Sequence, residues 1–289
     1  MAAEYYRVHN PKAIVKNNLG PRLIQSLKKV NQNLRYVKEL NDKIFEQYFR
    51  ALQTRLREVV KDSKMDIDSK NVSELVKDLE YLNEDPKFLS LVLSFFLQQL
   101  EIETDFSNLE ETIETSSFND CKELRHLGYY VAKSCSDILG HDEAVDLWKR
   151  MVALHHRDWK NEFEAFMKSP AAANRKEITV RERSEMMVKN WKDYGLADFA
   201  RIVLDDDKVL FRFDSCLTPE TLAEFDDPEW AYLSSCYMTD APEFNFGPQR
   251  LRRTQTLHTA SFCDEMYWDP KVHDDPEQPS LEFTAKLGK

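Results

Sequence analysis

The side chains able to do chemistry are concentrated between Cys216 and Trp268, most densely in Arg250-Leu-Arg-Arg-Thr-Gln-Thr-Leu-His-Thr-Ala-Ser-Phe-Cys-Asp-Glu-Met-Tyr-Trp268. A thiolate at Cys263 could attack an electrophilic carbon if nearby positive charge lowered its pKa, and Arg252 and Arg253 could supply that field. Arg253 or Arg250 could hold a substrate carboxylate through paired N–H donors. Asp240, Asp264 or His258 could move protons, His258 because its ordinary pKa lies near neutrality. Thr254 and Thr256 offer hydroxyls beside the arginines, and Cys236 and Cys216 are further thiols. Each has a plainer reading: His258 as an exposed turn residue, the cysteines as small buried core residues.

No metal site is expected. His155 and His156 are adjacent on a helical pattern, so their side chains point about 100° apart and do not share an ion. Cys216, Cys236 and Cys263 could in principle form a three-thiolate set, but their spacing gives it no support. The sequence holds no CxxC pair, no dinucleotide fingerprint and no P-loop among only 6 glycines, so no cofactor is expected.

Positioning these residues requires strands. Leu251–Leu257 and Phe262–Trp268 read as two short strands joined by His258-Thr-Ala-Ser261. Phe199–Leu204 and Val209–Asp214 read as another pair around Asp205–Lys208. Short helices are expected over Thr218–Glu224 and Pro228–Met238, followed by a loop from Asp240 to Pro248. The implied class is α+β and helix-rich, with a small antiparallel sheet in the C-terminal third packed against helices.

Residues 1–19 are polar and read as a loop. From Gly20-Pro21, apolar residues recur every three or four positions from Leu23 to Val59, the pattern of one long helix. Such a helix packs on its own protein, or alternatively forms a homodimer. Asp66–Asn71 breaks the pattern. Val72–Leu82 reads as a helix with Ser73 as its cap, and the segment from Pro86 to Glu103 as one buried on most sides. The acidic, Ser/Thr-rich segment 104–119 reads as a linker, which divides the chain into a helical region 1–119 and an α+β domain 120–289 with a polar tail. Helical spacing returns over Cys121–Ile138, Ala144–Phe166 and Arg181–Tyr194, and Cys121 and Cys135 read as buried thiols.

Composition narrows the function. A net charge of −11 argues against nucleic acid as the main partner, because phosphate binding rests on lysine and arginine. The longest apolar run, Phe88–Leu97, is too short to span a bilayer, so no membrane role is expected. Five scattered cysteines do not form a disulfide framework and point to a reducing, cytoplasmic setting.

Cys216 after a strand, Cys236 late in a helix, Arg253-Thr-Gln-Thr-Leu257 and Cys263-Asp264 together resemble the L-2-amino-thiazoline-4-carboxylic acid hydrolase-like family. Pro228-Glu229, Asp240 and the Phe246-Gly-Pro loop also fit. The resemblance covers about residues 120–268, with its specific motifs in the last fifty. It implies a hydrolase that opens a cyclic amidine-like thiazoline bearing a carboxylate, with a small-molecule substrate and a role in specialised metabolism. Two segments depart from the family pattern: His258-Thr-Ala-Ser261 replaces a Glu-Gly-acidic turn, and Glu265-Met-Tyr-Trp268 replaces an aromatic-basic strand. The hairpin also resembles that of 4-vinyl reductase-type ligand-binding domains, which implies a non-catalytic sensor as the alternative. A cyclase or isomerase on the same scaffold is a third option.

Overall fold

The structure, a computed structural model, describes residues 3–60, 70–173 and 177–288. In chain order it runs β1 (Glu4–Arg7), β2 (Ile14–Asn18), α1 (Leu19–Leu40), α2 (Asp42–Val59), α3 (Lys70–Val76), α4 (Glu80–Asn83) and α5 (Pro86–Leu100). There follow β3 (Thr112–Ser116), α6 (Ser117–Lys133), α7 (His141–Met167), α8 (Pro170–Ala173) and α9 (Val180–Tyr194). The last part comprises β4 (Asp198–Asp205), β5 (Lys208–Phe213), α10 (Leu217–Leu222), α11 (Pro228–Ser234), α12 (Tyr237–Asp240), β6 (Arg250–Arg252), β7 (Cys263–Trp268) and α13 (Leu281–Ala285). Two compact units emerge: Lys12–Met151, and Met1–Pro11 with Val152–Lys289. The division falls within α7, whereas the boundary expected after residue 119 falls within α6.

In the helical unit, Leu23, Leu27, Val30, Leu34 and Val37 are fully buried along α1. The single helix expected to continue to Val59 is broken at Asn41, which has φ −160° and ψ 87°. Apolar spacing runs unbroken from Leu40 to Ile44, so periodicity alone does not reveal the break. Packing decides it: α2 restarts and packs on α5 and α6, where the Tyr48 hydroxyl donates to the Val131 carbonyl at 2.9 Å. The helix expected over Val72–Leu82 is likewise divided at Leu79 (φ −107°) into α3 and α4. Part of the break expected at Asp66–Asn71 lies outside the described residues.

Two segments read as irregular are strands. Residues 14–18 and the supposed linker at 112–116 form an antiparallel pair, with Ile113 and Thr115 turned inward. Long-range pairing supplies partners that local composition does not show. Ser116 then caps α6 by accepting from the Asn119 N–H at 3.1 Å. Beneath it, Arg22 donates to Asp120 at 2.8 Å and to Glu123 at 2.6 Å, tying α1 to α6 through a buried charge cluster. Cys121 and Cys135 are buried in this unit, and desolvation raises the pKa of the Cys135 thiol far above the usual range.

The other unit is built on a five-stranded antiparallel sheet of order β1-β4-β5-β7-β6. Its outer strand β1 lies in the segment read as a loop, with Tyr6 paired to Phe199. On one face Val188 and Trp191 of α9 pack on Phe199, Phe211 and Phe213. The other face carries Ala200, Ile202, Leu210, Met266 and Trp268 beneath Leu287. Thr179 opens α9 with a complete capping box to Glu182, and Gly195 (φ 69°) closes it in the left-handed conformation that glycine favours. Among the described residues no helix is long and apolar enough to cross a membrane.

Candidate functional site

Strand register determines which candidates share a face. Cys263 pairs with Phe213, Glu265 with Phe211 and Tyr267 with Val209, so all three project toward the α9 face. Asp264, between Cys263 and Glu265, projects to the opposite face with Met266 and Trp268. Strand β6 alternates in the same way. Arg250 and Arg252 stand opposite Trp268 and Met266, and Leu251 opposite Tyr267.

Arg253, just beyond β6, is the centre of the assembly. Its side chain is 6% exposed and lies between two carboxylates, Asp240 and Glu265. Nη1 donates to Asp240 Oδ1 at 2.7 Å and to the Cys236 carbonyl at 3.3 Å, and Nη2 donates to Glu265 Oε1. Its Nε–H has no acceptor among the described residues. Tyr232 donates to Asp240 Oδ2 at 3.1 Å, and Tyr267 to Glu265 Oε2 at 2.7 Å. Burial pushes the Asp240 carboxyl upward, outweighing the opposing pull of the Arg253 guanidinium. Both tyrosines are raised, chiefly by burial and then by the carboxylate each one touches.

His258 joins this network from the loop after β6. Its Nε2 lies 3.0 Å from Ser235 Oγ, and its ring lies beside Tyr232 at a centroid distance of 6.5 Å. Ser235 donates its own proton to the Ala231 carbonyl at 2.5 Å. A hydroxyl has one proton, so Ser235 Oγ accepts from Nε2–H, which fixes the tautomer of a neutral ring. Ser235 precedes Cys236, the residue whose carbonyl Arg253 holds.

Cys263 is buried, and its thiol is pushed far above the ordinary range, first by desolvation and then by the Glu265 charge. Arg253 opposes that shift without overcoming it. The expected activation of Cys263 by an arginine field is therefore outweighed, and the thiol stays protonated near neutral pH. Cys216 packs against the same apolar cluster, at the residue before α10. Cys236 stands immediately before α12, beside both Arg253 and Cys263.

Four sequence candidates have other surroundings. Asp264 is fully buried and accepts from the Thr254 and Gln255 backbone N–H groups at 3.0 and 2.9 Å. It also accepts from the Thr254 hydroxyl and from Gln278 Nε2, so it ties the loop after β6 to the C-terminal tail. This is why the expected strand Leu251–Leu257 stops at Arg252: the next amides serve a carboxylate instead of a ladder. Thr254 belongs to that tie. Thr256 shapes the turn, its carbonyl accepting from the Thr259 and Ala260 N–H groups at 3.2 and 2.9 Å. Arg250 donates to the Gly247 carbonyl at 3.1 Å, on the face away from Arg253.

The structure thus brings together Arg253, Asp240, Cys236, Cys263 and His258. It adds Glu265, Tyr232, Tyr267 and Ser235, which the sequence reading missed. Glu265 was recoverable from alternation, since it lies two residues beyond Cys263 on one strand. Two cavities, of about 490 and 500 Å³, lie elsewhere, the first beside Phe163, Ile178 and Val272, the second beside Ile44 and Leu147. Neither is lined by the Arg253 cluster, whose chemistry is the better guide because it joins acids, a cation and thiols. Among the described residues no three His, Cys, Asp or Glu side chains are placed to hold one metal ion. Comparison of the chain with protein-family models, curated proteins and solved structures finds no match.

Proposed function

We propose that the sheet unit is a small-molecule enzyme whose site is the Arg253–Asp240–Glu265 cluster. Its substrate is a heterocyclic, amino-acid-derived compound bearing a carboxylate, and the reaction is hydrolytic opening of a cyclic C–N bond. The observation that carries this reading is a buried guanidinium held between two carboxylates, with Nη1 2.7 Å from Asp240 and Nε still unpartnered. A buried arginine suits recognition of a planar carboxylate, and a carboxyl raised by burial suits proton donation. The sequence resemblance to L-2-amino-thiazoline-4-carboxylic acid hydrolase-like proteins supports the same substrate class.

In this reading Arg253 anchors the substrate carboxylate. Water adds to the ring C=N carbon and passes its proton to Glu265, while Asp240 gives a proton to the ring heteroatom as the bond to it breaks. Cys263 lines the site as a neutral thiol, with Cys236 beside it. The loop from Arg253 to Phe262 must move to admit substrate. The proposed chemistry uses no cofactor and involves neither nucleic acid nor membrane, and the five free cysteines suit a reducing cytoplasm.

Incubation with L-2-amino-thiazoline-4-carboxylate, with ring opening followed by mass spectrometry, tests the reading. Turnover is expected in the full chain and lost in Arg253→Met; turnover that survives this change defeats it. One observation favours a second reading, a ligand-binding domain without catalysis: the Cys263 thiol is neutral and buried. That reading expects ligand-dependent change of oligomeric state on a sizing column with no product formed.

A further inference from the structure

Arg253 is oversupplied with negative charge. Asp240 and Glu265 both bond its terminal nitrogens, while its Nε–H, inside the cluster, bonds nothing among the described residues. Arg201 and Arg212 also leave Nε unpartnered, but each is paired with one carboxylate, Glu4 and Asp214 respectively. At Arg253 an open donor and a surplus acid coincide. We infer that the Arg253 Nε–H receives a ligand carboxylate, and that this binding brings one proton from solvent onto Asp240.

The argument is one of charge balance. Two carboxylates against one guanidinium already leave a net negative charge in a buried site. A third carboxylate would add another at short range, where low effective dielectric makes like charges costly. Protonating one of the resident acids restores the free-state balance. Asp240 is the acid placed for it, because burial already favours its neutral form.

The groups facing Asp240 do not supply the missing charge. They are the Tyr232 hydroxyl from α11, Cys236 before α12, Arg253, and Glu265 on β7. Tyr267 and Cys263 flank Glu265, and His258 reaches the network through Ser235 and the Tyr232 ring. The tyrosines and Cys263 are held neutral, so Arg253 is the sole fixed cation among these groups. Protonation also leaves Asp240 in the neutral acid form that a proton donor needs, so ligand binding itself would prepare the acid.

This inference rests on the proposed site, and the two can be separated. Tetrahydrothiophene-3-carboxylate, a ring carboxylate with no C=N bond to hydrolyse, is titrated into the full chain by calorimetry at pH 7, in phosphate and in Tris, whose ionisation enthalpies differ. The expected result is uptake of one proton per ligand bound by the wild type. Correspondingly, Kd should rise by up to about tenfold per pH unit above the free Asp240 pKa, the slope of a single linked proton. Asp240→Asn should bind without that uptake, and the difference between wild type and variant cancels any contribution from the ligand's own titration. The methyl ester should bind more weakly, with no linked proton. Wild-type binding with no proton exchanged overturns the inference and leaves the site standing, as does uptake undiminished in Asp240→Asn. Absence of wild-type binding defeats the site itself, and the inference with it.

Discussion

Asp240 Oδ1 stands 2.7 Å from Arg253 Nη1, while its other oxygen takes the Tyr232 hydroxyl at 3.1 Å. One carboxylate therefore joins the helical segment before the 241–249 loop to the end of β6. Removing the cation leaves Asp240 and Glu265 facing each other without compensation. Arg253→Met should destabilise the protein by about 3–5 kcal/mol, the cost of stranding one side of a buried ion pair. Urea unfolding measures it; a loss under about 1 kcal/mol would mean that water reaches both carboxylates.

Asp240 makes stability depend on pH with a definite sign. Its folded pKa is raised, so the folded state binds the proton more tightly than the unfolded chain, whose value is about 3.9. The contribution is fully present below the unfolded pKa and declines as pH rises through the folded one. The stability of wild type minus Asp240→Asn should therefore fall from about pH 4 upward, and paired unfolding curves at several pH values read it directly. A difference that grows with pH would show that Arg253 outweighs burial.

Glu265 should control the reactivity of Cys263. Its charge is the second largest cause raising the thiol, after desolvation. Glu265→Gln should lower the thiol pKa and speed alkylation of Cys263 by iodoacetamide at pH 8. Arg253→Met should act the other way, since the guanidinium opposes the shift. Peptide mapping by mass spectrometry assigns the label to Cys263 among the five cysteines. Equal rates in wild type and Glu265→Gln would leave access, not charge, as the determinant.

The strand pair β4–β5 was legible because its apolar residues are bounded by the Asp205–Lys208 turn. The α+β class followed from it and from the helical spacing around it. Strand β1, the β2–β3 pair and the break at Asn41 were not legible. Each depends on a partner remote in sequence, as in the pairing of Tyr6 with Phe199 or the bond from Tyr48 to Val131. Within the site, residue type pointed to Arg253 and Cys263, yet Cys263-Asp264 was read as one motif. Strand alternation separates these neighbours, and the same alternation places Glu265 beside Cys263.

Asp264 should report on structure, not on ligand chemistry. It is the buried acceptor for the Thr254 and Gln255 amides and for Gln278, on the face opposite Cys263. Asp264→Ala should cost about 1–3 kcal/mol, with water taking over part of the exposed loop's bonding. It should also increase proteolysis of the tail after Asp269. Ligand binding at saturating folded protein should change less than for Asp240→Asn. A fully stable Asp264→Ala without ligand affinity would instead move Asp264 into the site.

His258 offers a prediction at the level of a single proton. Ser235 Oγ lies 2.5 Å from the Ala231 carbonyl and 3.0 Å from His258 Nε2. The hydroxyl proton goes to the carbonyl, the closer acceptor, so the imidazole must donate through Nε2 when it is neutral. Nitrogen NMR of the ring should show Nε2 protonated and Nδ1 bare at a pH where His258 is uncharged. In Ser235→Ala the acceptor is gone, and the two tautomers should become more evenly populated. A wild-type ring protonated on Nδ1 would reverse the direction of the Ser235–His258 bond, and would leave Ser235 as the donor to His258 in place of Ala231.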